Sequence, residues 1–100
     1  MARAKKEVRF EVSLPVSFLR EGKSIIAYTP ALDLSTSAFS FEEAKKRFDE
    51  VVEIFFEELL EKGTMDEVLS GLGWRKIGKK WSPPVLIAQE SESVKIPVAA

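Results

Sequence analysis

The stretch from Ala27 to Glu43, AYTPALDLSTSAFSFEE, decides how this chain folds. An apolar run ends at Pro30, and a short alternating segment follows over Ala31–Thr36. Ser40 stands three residues before Glu43, which is a capping box and marks the start of a helix. The stretch therefore predicts two strands, joined by a tight proline corner, that lead directly into a helix.

Another strand is expected before this stretch. Apolar residues occupy the even positions from Val8 to Phe18, and a period of two is typical of a half-buried strand. Pro15 cannot donate to a ladder, so it indicates a sheet edge or a bulge. Arg20–Lys23 has the composition of a hairpin turn, and Ser24–Tyr28 contains an apolar run that suits a strand covered on both faces. Three strands joined this closely predict an antiparallel meander.

The helix is expected from Phe41 to Lys62, where Gly63 stops it. At about 100° per residue its apolar side chains share one broad face, which should lie on the meander. The residues of this face are Phe41, Ala44, Phe48, Val51, Val52, Phe55, Phe56 and Leu59. A second capping box, Thr64 with Glu67, opens a short helix after it.

Smaller elements are expected in the last third of the chain. Trp74–Trp81 predicts a hairpin around Gly78, and Val85–Ala88 and Ser93–Val98 are short strand candidates. The predicted fold class is therefore α+β: a three-stranded antiparallel meander packed on one long helix, with a short second helix and one or two C-terminal strands.

The composition is that of one folded domain. Of the 100 residues, 45% are hydrophobic and 31% are charged, which suits a single domain with its core over about residues 7–81 and an extended tail over 82–100. No apolar run approaches the roughly 20 residues of a membrane helix, and no secretory signal is visible at the N-terminus. A cytoplasmic protein is expected.

Catalysis is not expected, because the usual reactive groups are missing from the sequence. It contains no histidine and no cysteine, which removes the commonest general base, the thiol nucleophile and the commonest metal ligands. The carboxylates on predicted strands are Glu7, Glu11 and Asp33, too few for a two-metal nuclease. Asp33 is better explained as a cap of the proline corner. We expect no catalytic residue, no metal and no cofactor.

The net charge is −1, but acidic residues concentrate in the middle of the chain. On the helix, Glu50, Glu53, Glu57 and Glu61 lie on the side opposite the apolar face. A solvated helix face explains such a stripe. A docking surface for a basic partner explains it too, since charge complementarity accelerates encounter. The second interpretation makes these glutamates partner-binding candidates.

The apolar arc of the helix is wider than one sheet needs. Phe56 and Leu60 extend it, and Ile54 lies on the polar side. The excess favours an interface with a second subunit or with a partner protein. We therefore expect at least a dimer, with these three residues as interface candidates.

A basic segment flanked by tryptophans follows the two helices. Single-stranded nucleic acid is held by aromatic stacking combined with positive charge. A hairpin with a solvated turn explains the segment equally well. The candidate nucleic-acid contacts are Trp74, Arg75, Lys76, Lys79, Lys80 and Trp81.

The proline corner and the helix start resemble the signature of the HicB-like antitoxin family. The matching residues are Ala27, Tyr28, Pro30, Leu32, Asp33, Glu42, Glu43 and Ala44. The resemblance covers about Val8 to Trp81. It implies a partial ribonuclease-H-like fold without the nuclease carboxylates, and a protein that binds and blocks a small basic RNA-cleaving toxin, HicA.

Two departures from the family pattern bear on function. Ser37 and Ala38 replace the usual glycine in the loop before the helix. The chain reaches Ala100 without the DNA-binding domain that many family members carry, so direct DNA binding is not expected. The alternative function is a stand-alone oligomeric domain with a regulatory or nucleic-acid-binding role and no toxin partner.

Overall fold

A computed structural model describes residues 11–99 of the chain. It has the predicted α+β class, with a three-stranded antiparallel sheet, a long helix, a short helix and two further strands. The elements are β1 Ser17–Glu21, β2 Ser24–Thr29, β3 Leu34–Ala38, α1 Phe41–Lys62, α2 Met65–Gly71, β4 Arg75–Ile77 and β5 Lys80–Ser82. Within residues 11–99, no helix is long and apolar enough to span a membrane.

The main sheet is a meander with β2 in its centre. Gly22 and Lys23 form the two-residue turn between β1 and β2, so that Glu21 pairs with Ser24. Gly22 has a φ of 61°, which glycine adopts without strain. The turn fixes the register of the first hairpin, between β1 and β2.

The first strand is shorter than predicted and lies later in the chain. Residues 11–16 form no strand, and β1 begins at Ser17, whereas the period-two pattern predicted Val8–Phe18. The pairing with β2 ends at Ser17, opposite Tyr28, one residue before β2 itself ends at Thr29. Val8 and Phe10 lie outside the described residues.

The third strand also begins later than predicted, at Leu34 rather than at Ala31. The intervening residues form the corner itself, where the Asp33 N–H donates a 3.3 Å hydrogen bond to the carbonyl of Pro30. Asp33 has a φ of 49°, a left-handed conformation that aspartate tolerates better than most residues. Residues 31–33, which the alternation predicted to belong to the strand, therefore form the corner instead.

Helix α1 has the predicted boundaries. The Ser40 hydroxyl accepts a 3.2 Å hydrogen bond from the N–H of Glu43, as a capping box requires. Gly63 ends the helix with a φ of 68°, and its N–H donates to a carbonyl of the last turn. The second capping box is wrong, because the side chain of Thr64 makes no cap hydrogen bond.

Helix α1 packs on one face of the sheet, which we call the inner face, and lies mainly over β3 and β2. Two buried clusters result. One, between the sheet and the first half of α1, consists of Ile25, Ala27, Ala38, Ala44 and Phe48. The other, where the corner meets the second half of α1, α2 and the β4–β5 hairpin, consists of Ala31, Leu32, Leu59, Leu69, Trp74 and Trp81.

The two edges of the sheet differ. The residues that flank a two-residue turn exchange backbone hydrogen bonds. The backbone N–H and carbonyl groups of the odd-numbered residues of β1 therefore point toward β2, and those of Phe18 and Arg20 point away from it, toward the edge of the sheet. By the same alternation, the backbone polar groups of Ser35 and Ser37 in β3 point away from β2, toward the opposite edge of the sheet. The carbonyl of Ser37 accepts a 3.1 Å hydrogen bond from the guanidinium of Arg47 on α1. The β3 edge thus carries a charged cap.

The chain after β5 contains no strand as far as residue 99. The strand candidates Val85–Ala88 and Ser93–Val98 are therefore wrong for this single chain, because neither has a neighbouring strand to pair with. The two C-terminal strands of the fold are instead β4 and β5, which form the hairpin predicted around Gly78.

Candidate functional site

The proline corner is held by several hydrogen bonds. The Tyr28 hydroxyl donates to Asp33 Oδ1 at 3.1 Å, and the Ala31 N–H donates to Thr29 Oγ1 at 3.3 Å. Leu32 is buried in the second cluster, and Pro30 is exposed. These contacts explain the signature residues as the parts of a rigid turn.

The contact with Asp33 also changes the acidity of the Tyr28 hydroxyl. The hydrogen bond to Asp33 raises the pKa of the Tyr28 phenol above its ordinary 10.0, with burial and the negative charge of Asp33 acting in the same direction. The carboxylate of Asp33 is therefore engaged in holding the corner. In the described part of the chain, no three acidic side chains lie close enough together to bind a metal ion.

The predicted acidic stripe lies on the exposed side of α1. Glu50, Glu53, Glu57 and Glu61 are all exposed, on the side of the helix opposite Phe48. None of them pairs with a basic residue of the range 11–99, where the ion pair present is Lys76 with Asp66. The stripe thus presents a concentrated negative charge to solvent.

The three interface candidates do not share one environment. Ile54 and Leu60 are 55% and 50% exposed and flank the acidic stripe on either side. Phe56 is half-buried, and its ring packs edge-on against Trp74 with centroids 6.1 Å apart. We call the exposed surface formed by Glu50, Glu53, Ile54, Glu57, Leu60 and Glu61 the acidic face.

The basic segment divides into buried tryptophans and exposed cations. Trp74 and Trp81 are 4% and 8% exposed, so neither ring offers a face on which a base could stack. Both indoles belong to the second buried cluster. Arg75, Lys79 and Lys80 are exposed. Of the two features that the nucleic-acid interpretation requires, the hairpin therefore offers the positive charge but not the exposed aromatic rings.

Lys76 is the cation of this hairpin with defined contacts. Its ammonium lies 3.5 Å from a carboxylate oxygen of Asp66 and 5.7 Å from the centre of the Trp81 ring. Both contacts are local and tie β4 to α2 and to β5. The contacts of Lys76 are therefore accounted for within the fold.

An open groove that the sequence did not indicate lies between β1 and α1. It has a volume of about 400 Å³. It is lined by Val12, Leu14, Val16 and Phe18 on one side and by Lys45, Phe48, Asp49 and Val52 of α1 on the other. It exists because α1 lies over β2 and β3, which leaves the inner face of β1 partly uncovered. The alternation of Val12, Leu14, Val16 and Phe18 was the available signal, since it places these side chains on one face.

Comparison with family models, with curated proteins and with solved structures found no match for this chain. The described residues define a small α+β domain with an acidic helix face, a basic hairpin and an apolar groove.

Proposed function

We propose that this chain is a non-enzymatic antitoxin-like protein that binds and neutralises a small basic RNA-cleaving toxin of the HicA type in the cytoplasm. The observation that supports the proposal is the acidic face of α1. Four exposed glutamates lie opposite the core on one helix, and none of them forms an ion pair with a basic residue of the range 11–99.

The chemistry of the partner supports this assignment. A protein that cleaves RNA binds a polyanion, so its substrate-binding surface carries positive charge. An acidic helix presents the same sign of charge as the RNA backbone and competes for that surface. The glutamates from Glu50 to Glu61 extend over about 16 Å of helix, and complementary charge over such a length accelerates association.

Two aliphatic side chains add what charge alone does not supply. Ile54 and Leu60 are half-exposed on either side of the stripe. The centre of a protein interface is depleted in charge and enriched in apolar contact. Such a surface has the composition expected of a docking face for a basic protein.

The alternative is a stand-alone regulatory domain that contacts nucleic acid through the β4–β5 hairpin. The exposed Arg75, Lys79 and Lys80 favour it, since phosphate contacts need only positive charge. The buried positions of Trp74 and Trp81 weigh against it, because they remove the aromatic platform of single-strand binding.

The test reverses the charge of the acidic face. We expect Glu50→Lys, Glu53→Lys and Glu57→Lys together to slow association with a HicA-type toxin that binds the wild type, and to flatten the dependence of the rate on salt. Stopped-flow mixing measures both. An association rate equal to that of the wild type would reduce the stripe to an ordinary solvated face.

Two controls separate this effect from net charge and from folding. Glu21→Lys, Glu67→Lys and Glu90→Lys together change the net charge equally but alter exposed positions elsewhere, so the rate should fall less. Phe48→Ala removes a ring buried to 6% exposure and should lower the free energy of unfolding by about 3–5 kcal/mol. The triple reversal on α1 should leave the unfolding free energy nearly unchanged, within about 0.5 kcal/mol per residue.

A further inference from the structure

The segment 93–98 has the pattern of a strand without a strand beside it. Its even-numbered residues are aliphatic and strongly exposed: Val94 is 74%, Ile96 is 75% and Val98 is 85% exposed. Every residue from 84 to 99 is exposed. Strand-like alternation with its apolar side in solvent indicates a segment that pairs with something else.

Pro97 determines which side of this segment can pair. In an extended strand, alternate residues have their side chains on the same face of the sheet. Their backbone N–H and carbonyl groups also point to the same edge of the strand. Pro97 has no N–H, so the odd-numbered side lacks a donor. The even-numbered side, with Val94, Ile96 and Val98, keeps every N–H and carbonyl. The segment is therefore an edge strand with one complete side, and that side carries the aliphatic residues.

No strand within residues 11–99 pairs with the outer edge of β1, which we call its free edge, and this edge is the matching template. Phe18 and Arg20 direct their backbone polar groups away from β2, as the register from Glu21–Ser24 requires. The opposite edge, on β3, carries the Arg47 cap at the carbonyl of Ser37. Phe18 lies on the inner face, where its ring is 37% exposed and meets Phe41 edge-on at 4.7 Å. The free edge of β1 thus borders the open groove.

We infer that residues 93–98 of one copy add as an antiparallel strand to the free edge of β1 in a second copy. Hydrogen-bonded partners across such an edge share a face, so Val94, Ile96 and Val98 enter the groove beside Val16 and Phe18. The groove, at about 400 Å³, has room for aliphatic side chains of this size. The odd-numbered residues of the segment remain in solvent on the other face.

Charge selects the antiparallel direction. With Ile96 opposite Phe18, an antiparallel strand places Glu92 opposite Gly22 and diagonally beside Arg20 on the same face, whereas a parallel strand carries Glu92 away from this cation. Opposite charges in adjacent strands stabilise a sheet and fix its register. The antiparallel register therefore pairs Val94 with Arg20, Ile96 with Phe18 and Val98 with Val16.

The same register explains why the strand comes from a second copy. Gln89 Nε2 lies 3.4 Å from Ser17 Oγ in its own chain, at the start of β1. A strand that continues from this point along its own β1 would run parallel to it. In the antiparallel register the segment approaches from the other end of β1. Reciprocal exchange between two chains then closes a dimer with two-fold symmetry.

Mixed single-cysteine variants test this arrangement, since the chain has no cysteine of its own. Leu19 and Lys95 form a non-hydrogen-bonded pair in the inferred register, with Cα atoms about 4.5 Å apart, which a disulfide can span. Leu19→Cys mixed with Lys95→Cys in a glutathione buffer should give a disulfide-linked heterodimer. Leu60→Cys mixed with Lys95→Cys, both exposed, is the control and should give at least tenfold less.

Equal cross-linking in the two mixtures, or none in either, would overturn the inference. A Leu19→Cys/Lys95→Cys double variant that forms its disulfide only within one chain would overturn it as well. The covalent heterodimer between two separately purified variants is the result that a strand folded back on its own chain cannot produce.

Proline substitution tests the parity of the strand. Ile96→Pro removes an N–H from the pairing side and should weaken the dimer at least tenfold in sedimentation equilibrium. Lys95→Pro, its matched control, removes an N–H from the solvent side and should weaken it much less. Equal effects of the two substitutions, a monomeric wild type at micromolar concentration, or a dimer that is lost only with Ile54→Ser and Leu60→Ser would each contradict the inference.

Discussion

The indole N–H of Trp74 donates a 2.7 Å hydrogen bond to the carbonyl of Ala31, which lies 43 residues earlier in the chain. Both residues are buried in the second cluster. The bond joins the proline corner to the β4–β5 hairpin, so a turn of the meander is stabilised by the last third of the domain. The corner is therefore a tertiary structure, although its sequence signature is local.

Trp74→Phe should destabilise the domain by about 1–3 kcal/mol through the unpaired carbonyl of Ala31, in addition to the loss of packing. Denaturant unfolding measures the change. Trp81→Phe is the control, because Trp81 is similarly buried and its indole N–H donates to no other residue of the range 11–99. Equal losses in the two variants would show that the hydrogen bond contributes little.

Tyr28 should ionise at higher pH than a free phenol, since its hydrogen bond to Asp33 favours the protonated form. Tyr28 is the one tyrosine of the chain, so its ultraviolet absorbance reports this titration directly. Asp33→Asn should move the pKa back toward 10.0 without disturbing the corner, because asparagine also tolerates a left-handed conformation.

The raised pKa of Tyr28 also makes the stability of the fold depend on pH. The folded state favours the neutral phenol, so the contribution is fully present below the unfolded pKa of about 10 and is lost as the pH rises through the folded pKa. The wild type should therefore lose stability above that pH relative to Tyr28→Phe. Parallel stability curves for the two proteins across this range would contradict the assignment.

Gly63→Ala should destabilise the domain by about 1–2 kcal/mol, because its φ of 68° is unfavourable for a residue with a Cβ atom. Gly71→Ala is a matched control within helix α2, where φ is not positive and an added Cβ meets nothing within 4 Å. That substitution should stabilise by about 0.5–1 kcal/mol. Thermal unfolding of both variants distinguishes a conformational requirement from a packing requirement.

The purified protein should not cleave RNA or an RNA–DNA hybrid when magnesium or manganese is present. Asp33 is hydrogen-bonded to Tyr28, and no metal-binding group of acidic residues occurs in the range 11–99. Gel assays with both metals test this. Metal-dependent cleavage that disappears in Asp33→Asn would make the corner an active site and end the antitoxin proposal.

The helix could be predicted from sequence to the residue because its ends are set by local chemistry. Ser40 and Gly63 act within a few residues of themselves, and the structure uses both as expected. The strands could not be delimited in the same way. Alternation shows that a segment is able to form a strand, but β1 extends only over the residues that pair with β2.

The functional candidates also divide into those set by local sequence and those set by contacts between distant residues. Exposure of the acidic stripe followed from helical periodicity, since Glu50–Glu61 repeats on one face. The positions of Trp74 and Trp81 depend on contacts with Ala31, Leu32 and α1 that are remote in sequence. The groove beside β1 depends on where α1 crosses the sheet, which no local pattern specifies.

Arg47 makes the two edges of the sheet unequal. Its guanidinium occupies an outward carbonyl of β3, and a charged group on an edge strand discourages further strands from adding there. The inferred strand addition uses β1 and the segment 93–98, so the two edges of the sheet have different roles. This single side chain therefore works against edge-to-edge association of two sheets through β3, which is one route by which identical copies aggregate.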